Sequence, residues 1–176
     1  YNYKRSKKIR LNKKDLILCA KHRKGHFEGV LDVMDRLTKL INPNKIFMGK
    51  KDFQQFILVK NYIKKKYNIK VIGCPTIRDK NKIALSSRNF LLNKKELFNA
   101  SQIIKDLFNF KIKFKKSKNI NNLLKLKKID LEDRYKIKIE YLENRRINNF
   151  KKINNFNLSK IFIAYYLNKV RLIDNL

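Results

Sequence analysis

The chain is 176 residues long, enough to bury a real core in one domain or two small ones. Its 45 Lys and Arg against 14 Asp and Glu give a formal charge of +31, yet 43% of its residues are hydrophobic, more than a disordered tail carries, so it is expected to fold. The longest strongly apolar run, Ile161 to Leu167, is too short to cross a bilayer, the first residues do not read as a signal peptide, and two cysteines, Cys19 and Cys74, fit a reducing cytoplasm rather than a disulfide scaffold.

Phe27 to Ile41 sets Val30, Val33, Met34, Leu37, Leu40 and Ile41 at helical spacing with Asp and Arg on the other face, and Pro43 ends that helix. Lys45 to Met48 reads as a short buried strand ending at Gly49. Asp52 opens a second helix, to about Tyr67, that buries Phe53, Phe56, Ile57 and Ile63. Ile69 to Ile72 is a second strand, closed by Gly73-Cys74-Pro75. Helix, strand, helix, strand at this spacing predicts a βαβ-type unit with a parallel sheet and a right-handed crossover.

Beyond Pro75 the texture changes. Ile77 to Leu92 reads as a polar loop region, and Asn93 with Glu96 three residues on predicts a capping box that starts a helix to about Phe110. Residues 111–129 are rich in Lys and Asn, with a short helix suggested by Ile120, Leu123, Leu124 and Leu126. Ile137, Ile139 and Tyr141 alternate with charged residues, as a half-buried strand does, and Ile161–Tyr166 and Val170–Ile173 are its expected partners in a small antiparallel sheet. The predicted fold class is therefore α/β with a parallel sheet, followed by an α+β part after a boundary near Pro75.

A charge of +31 raises the question of a nucleic-acid partner. The basic residues are mostly Lys, spread over the whole length, whereas base readers lean on the bidentate Arg fork. Stretches such as Lys118-Asn119-Ile120-Asn121-Asn122 read as a compositional drift in which exposed positions default to Lys and Asn. A Lys-rich RNA-binding module stays open as the alternative, although Phe and Tyr fall mostly at core-periodic positions rather than as a stacking platform.

Two segments have the residue types for handling phosphate. Gly49-Lys50-Lys51-Asp52-Phe53-Gln54-Gln55 lies where a strand ends and a helix begins, the place in an open parallel sheet where backbone N–H groups and the helix dipole meet an anion. Gly49 lets the backbone approach a phosphate, Lys51 supplies a point charge, and Gln55, one helical turn on, faces the same crevice with a hydrogen-bonding amide. The plainer reading is an ordinary turn with a solvated lysine pair. Leu85-Ser86-Ser87-Arg88-Asn89 offers two hydroxyls and a guanidinium that can wrap a triphosphate, although serine-rich turns ahead of helices are also common. A third segment, Arg23-Lys24-Gly25-His26-Phe27, precedes a helix, and taken alone His26 reads as structural. Cys19, His22 and His26, with Cys74 as a distant fourth, have zinc-like spacing, but nothing else supports a closed site, so no metal site is expected. Neither histidine has a partner for a Ser/His/Asp arrangement.

Taken together and in order, these segments resemble the pantothenate synthetases (pantoate–β-alanine ligases). The family pattern is a basic-Pro-Gly-His-Phe-x-Gly-Val helix start, then Phe-Gly-Glu-Lys-Asp-Tyr/Phe-Gln-Gln, a Pro-x-x-Arg turn and a Ser-Ser-Arg-Asn loop. This chain reads Arg23-Lys24-Gly25-His26-Phe27-Glu28-Gly29-Val30, Met48-Gly49-Lys50-Lys51-Asp52-Phe53-Gln54-Gln55, Pro75-Thr76-Ile77-Arg78 and Ala84-Leu85-Ser86-Ser87-Arg88-Asn89. Lys169-Val170-Arg171-Leu172-Ile173-Asp174-Asn175 is similar to the family's C-terminal strand, and the likeness is weakest between about 108 and 160.

The resemblance implies that 1–76 is the remainder of a Rossmann-like nucleotide- and pantoate-binding domain and 77–176 a small α+β lid domain carrying the Ser-Ser-Arg loop. It implies ATP-dependent joining of pantoate and β-alanine through a pantoyl adenylate, with Mg2+ accompanying ATP, and a homodimer in the full-length enzyme. By position, Gly49, Lys50, Lys51, Asp52, Ile77, Leu85, Ser86, Ser87 and Arg88 would bind ATP, with Lys51 and Arg88 the catalytic cations and Gln55 the pantoate contact. Another adenylate-forming nucleotidyltransferase with a different acid is the remaining alternative.

The chain also departs from the pattern. Lys50 stands where the family usually has Glu, Lys24 where it has Pro, Lys82 where it has Gly, and Phe53 where many members have Tyr. The family's Met-Gly-x-x-His-x-Gly-His stretch, whose histidines bind ATP, has no counterpart, and the first residue is Tyr1 rather than Met. The expectation is a piece of about the C-terminal two-thirds of such an enzyme, inactive alone.

Overall fold

Left-handed residues set the limits of the first helices. In the computed structural model, which describes residues 9–176 and so leaves Tyr1 outside, a one-turn helix α1 (Cys19–His22) precedes Gly25, whose φ of 78° starts α2 (His26–Ile41). Asn42, at φ 47°, ends α2 ahead of Pro43 with its N–H on the Thr38 carbonyl. There follow β1 (Lys45–Gly49), a 3-10 turn (Lys50–Asp52), α3 (Phe53–Tyr67), and β2 (Lys70–Cys74). The strands pair in parallel, with Ile46 opposite Val71, Met48 opposite Gly73 and Gly49 opposite Cys74. The chain divides after Pro75, and Thr76–Leu176 forms a second compact unit.

In the first unit the helical stripe read from sequence is not the one that is buried. α2 packs on α3 and buries Phe27, Leu31, Asp35 and Thr38, while Val33, Leu37, Leu40 and Ile41 are exposed. The cause is Asp35, a buried carboxylate that accepts hydrogen bonds from Tyr62, Lys66 and Tyr67 of α3, which turns a polar face inward. β1 is likewise not a buried strand: Ile46 and Met48 are half-buried but Phe47 between them is 65% exposed, because successive side chains of a strand point to opposite faces and only the face carrying Ile46 and Met48 is partly covered. α3 buries Phe53, Phe56, Leu58, Val59 and Ile63, with Gln54 among them, and Ile57 is only half-buried.

The second unit opens with a small hairpin, Arg78 bridging Ala84, and a 3-10 turn over Ser87–Leu91. Asn93 and Glu96 form the expected capping box on α4 (Lys94–Lys113), which runs a turn beyond Phe110. α5 (Ile120–Tyr135) is a full helix of 16 residues rather than a short one. It buries Ile120, Leu124 and Leu131, a stripe sparse enough to be hidden by the surrounding Lys and Asn. β3 (Lys138–Arg146), β4 (Ser159–Leu167) and β5 (Val170–Asn175) make an antiparallel sheet in chain order, with β4 central and nearly all buried. Ile103, Ile104 and Leu107 of α4 meet Ile161, Ile163 and Tyr165 of β4 in one core. Burying each such aliphatic side chain contributes about 2 kcal/mol. Asn144, fully buried on β3, donates from Nδ2 to the Ile153 and Asn155 carbonyls at 2.9 and 2.6 Å and so pins the β3–β4 loop.

Candidate functional site

β1 delivers Gly49 to its carboxyl end, where the chain turns through Lys50–Asp52 and feeds α3. Gly49 is exposed, and a Cβ built there meets no atom within 4 Å, so the space beside this backbone is open. Gly73, opposite Met48 on β2, is the reverse case: a Cβ would stand 2.6 Å from Cε of Lys50 and 2.8 Å from Cζ of Phe56. The missing side chain leaves room for the aliphatic stem of Lys50 to lie against the backbone of β2. Lys51 is half-buried, and Asp52 is exposed and does not cap the N–H groups of α3 with its carboxylate. Lys50 and Lys51 both stand in the turn that leads into the positive end of α3.

The adjacent glutamines divide two tasks. Gln54 is buried and clamps the segment before α2: its Oε1 accepts from the Ala20 N–H at 3.4 Å, and its Nε2 donates to the Asp15 and Ile17 carbonyls at 3.1 and 2.8 Å. Gln55, one turn beyond Lys51, is half-buried, and its side-chain amide has no hydrogen-bond partner among the described residues. The clamp is not legible in the sequence, since nothing in a Gln-Gln pair says which one turns inward. His26, behind Gly25, packs its ring against Phe27 with centroids 4.9 Å apart. Among the described residues no group of three His, Cys, Asp or Glu side chains could hold a metal ion, the Cys19, His22, His26 and Cys74 set included.

The second unit assembles Ile77, Leu85, Ser86, Ser87 and Arg88 on the Arg78–Ala84 hairpin and the turn after it. The Leu85 N–H donates to the Ile77 carbonyl at 2.9 Å, and both side chains stand in solvent, 54% and 65% exposed respectively. Ser86 caps the 3-10 turn, accepting from the Arg88 N–H at 3.3 Å, and Asn89 donates back to the Ala84 carbonyl at 3.1 Å. Ser87 is exposed; Arg88 is half-buried and donates from Nη1 to the Arg171 carbonyl at 3.4 Å. Arg78 has a structural role: it grips Asp174 with both terminal nitrogens and lies over the Phe108 ring at 5.3 Å. Lys82, the residue standing where the family has Gly, sits at φ 72°, a left-handed conformation in which glycine is unstrained.

A parallel β-α-β unit with cations and an open glycine at the carboxyl end of its first strand, joined to an α+β unit, places this chain among Rossmann-like α/β proteins. The pantoate–β-alanine ligase family model matches residues 1–176, and the chain belongs to that family. It is 42% identical over 164 residues to a bifunctional pantoate ligase/cytidylate kinase of Prochlorococcus marinus subsp. pastoris, covering 90% of this chain and 31% of that protein. It is 36% identical over 161 residues to the pantothenate synthetase of Clostridium botulinum, covering 90% of this chain and 57% of that protein. Among solved structures, a Thermus thermophilus pantothenate synthetase superposes with a TM-score of 0.86 at 24% identity, over 97% of this chain and 63% of its own, and shares the fold. Pantoate–β-alanine ligase from Francisella tularensis, crystallised with β-γ ATP and β-alanine, gives 0.74 at 32% identity over 96% of this chain and 56% of its own. The chain thus spans between about a third and three fifths of the curated relatives described here.

Proposed function

We propose that this chain carries the β-α junction and the serine–arginine loop of a pantoate–β-alanine ligase, which joins the two acids at the expense of ATP through a pantoyl adenylate. In the first step a carboxylate oxygen of pantoate attacks the α-phosphorus of Mg-ATP and pyrophosphate leaves. In the second, the amine of β-alanine attacks the acyl carbon, AMP leaves with its phosphate oxygen, and the amine gives up a proton. Both steps are positioning chemistry with charge building on phosphate or acyl oxygens.

In this reading Gly49, Lys50, Lys51 and Asp52 line the ATP site, with Lys51 set against the phosphate charge, and Gln55 donates to pantoate. Ile77 contacts the adenine region; Leu85, Ser86, Ser87 and Arg88 hold the phosphates, Arg88 with its guanidinium. Mg2+ enters with the nucleotide, as part of the substrate. The observation that carries the reading is the junction itself: open space beside Gly49, two lysines, and an unpartnered Gln55 amide on the same turn of chain.

Equilibrium dialysis of the 176-residue chain tests it. ATP is expected to bind, Lys51→Ala to weaken ATP at least about tenfold, and Gln55→Ala to weaken pantoate while sparing ATP. Inorganic triphosphate binding as tightly as ATP would reduce the junction to a polyanion patch and overturn the reading. The chain's two histidines, His22 and His26, make no His-x-Gly-His arrangement, so binding without pantoate-dependent ATP–pyrophosphate exchange is the expected result for this chain alone.

A further inference from the structure

A second cavity lies wholly within the Thr76–Leu176 unit and has no part in the chemistry above. Between the end of α4 and the β3–β4 loop lies a cavity of about 540 Å³ that opens to solvent, lined by Phe108, Lys111, Ile112, Lys115, Phe156 and Asn157. That volume is in the range of small-molecule sites. Its chemistry is one-sided: two aromatic rings and an aliphatic side chain, two ammonium groups, one carboxamide, and no carboxylate.

The rings are braced from outside the cavity. Phe156 meets the buried Phe110 edge-on, with centroids 6.5 Å apart at 88°, and Phe108 carries the Arg78 guanidinium 5.3 Å from its centre. Arg78 is itself fixed by Asp174, so neither wall depends on a loose side chain. Lys111 is half-buried with its Nζ 5.9 Å from the Phe156 centroid, and it has no anionic partner among the described residues. Burial alone pushes its pKa down, as expected for an ammonium held from water with nothing to balance it. The side-chain amide of Asn157 makes no hydrogen bond among the described residues, while its backbone N–H donates to Asn155 Oδ1.

We propose that this cavity binds a small amphipathic anion: a flat aromatic body set between Phe108, Ile112 and Phe156, with a phosphate or carboxylate on Lys111 and Lys115. The rings supply area and stacking faces, and the anion supplies the charge that Lys111 lacks. A neutral aromatic would leave the ammonium unbalanced, and a bare anion would leave the ring faces wet.

Phenyl phosphate is the probe, titrated into the full chain by calorimetry beside inorganic phosphate. Saturable binding is expected, at least about tenfold tighter than inorganic phosphate. Lys111→Ala should weaken it about tenfold, and Lys111→Arg should keep most of it. Ile112 is 73% exposed, so Ile112→Glu should leave the fold intact while placing a carboxylate in the site and abolishing binding. Lys51→Ala separates this cavity from the junction and should leave phenyl phosphate affinity unchanged. Wild-type affinity in both Lys111→Ala and Ile112→Glu, parity with inorganic phosphate, or a loss in Lys51→Ala would each overturn the proposal.

Discussion

Arg78 holds Asp174 through two parallel hydrogen bonds, Nη1 to Oδ2 at 2.6 Å and Nη2 to Oδ1 at 2.8 Å, across 96 residues of chain. The two side chains are only 17% and 4% exposed, and Asp174 Oδ1 also accepts the Asn175 N–H, so the bond ties the start of the Ile77–Leu85 hairpin to the last strand. Breaking one partner of such a pair leaves the other charge buried and unbalanced. Asp174→Asn is expected to lower the unfolding free energy by about 3 kcal/mol, read from urea denaturation. An unchanged midpoint would mean that the fork adds nothing to the unit.

Asp35 gives the first unit a specific acid sensitivity. Burial works to raise its pKa, but hydrogen bonds from Lys66, Tyr67, Tyr62 and Lys39 outweigh it and hold the carboxyl below the usual range. A depressed folded pKa contributes stability that is complete above the unfolded value near 4 and is lost as pH falls through the folded one. Wild-type stability should therefore decline from about pH 4 downward, with Asp35→Asn less stable at neutral pH and showing a shallower decline. Lys66 has its pKa raised, chiefly by Asp35, so its share persists throughout the range below the ordinary lysine value and is lost only in stronger alkali. Denaturant midpoints for both proteins at a series of pH values check the sign; parallel curves would rule the account out.

How far the fold could be read in advance divides along physical lines. Signals carried by neighbouring residues or by the plain succession of elements were legible: Pro43 after α2, the Asn93–Glu96 box, the alternation along β3, and the strand–helix–strand order that makes β1 and β2 parallel. Signals that depend on a distant partner were not. The inward face of α2 is set by Asp35, whose three donors on α3 lie 27 to 32 residues away, so an apolar stripe at helical spacing pointed to the wrong side. The Gly49–Gln55 segment was recognisable because its residue types are local and ordered. That Gln54 rather than Gln55 turns inward, and that Arg78 reaches Asp174, depended on carbonyls and carboxylates elsewhere in the fold.

Lys82 stores backbone strain. Its φ of 72° closes the turn between Arg78 and Ala84, where its carbonyl accepts from Arg78 Nη1 at 2.9 Å. A non-glycine residue in the left-handed region costs about 1–2 kcal/mol, and glycine gives back about half of that through its freer unfolded chain. Lys82→Gly is therefore expected to raise stability by about 0.5–1 kcal/mol, with Lys82→Ala showing no gain. Thermal midpoints of the two variants decide the matter, and a gain in both would point to lost charge repulsion instead.

Gln54 and Gln55 should separate stability from binding at neighbouring positions. Truncating Gln54 strips partners from the Ala20 N–H and from the Asp15 and Ile17 carbonyls. Each of those groups keeps a backbone partner, the Ala20 N–H on the Ile17 carbonyl and the Ile17 N–H on the Asp15 carbonyl, so what is lost is the side-chain bonds themselves. At about 0.5–1.5 kcal/mol for each intramolecular hydrogen bond, Gln54→Ala should lose about 2 kcal/mol and loosen the segment ahead of α2. Hydrogen exchange at the Ala20 amide would report that loosening directly. Gln55 has no such duty, so Gln55→Ala should stay within about 0.5 kcal/mol of wild type. Under the proposed function its loss appears instead in pantoate affinity, with ATP affinity retained. If Gln55→Ala were the destabilised variant and Gln54→Ala the one that lost pantoate, the roles assigned to the two amides would have to be exchanged, because one side chain cannot both satisfy three backbone groups and remain available to a substrate.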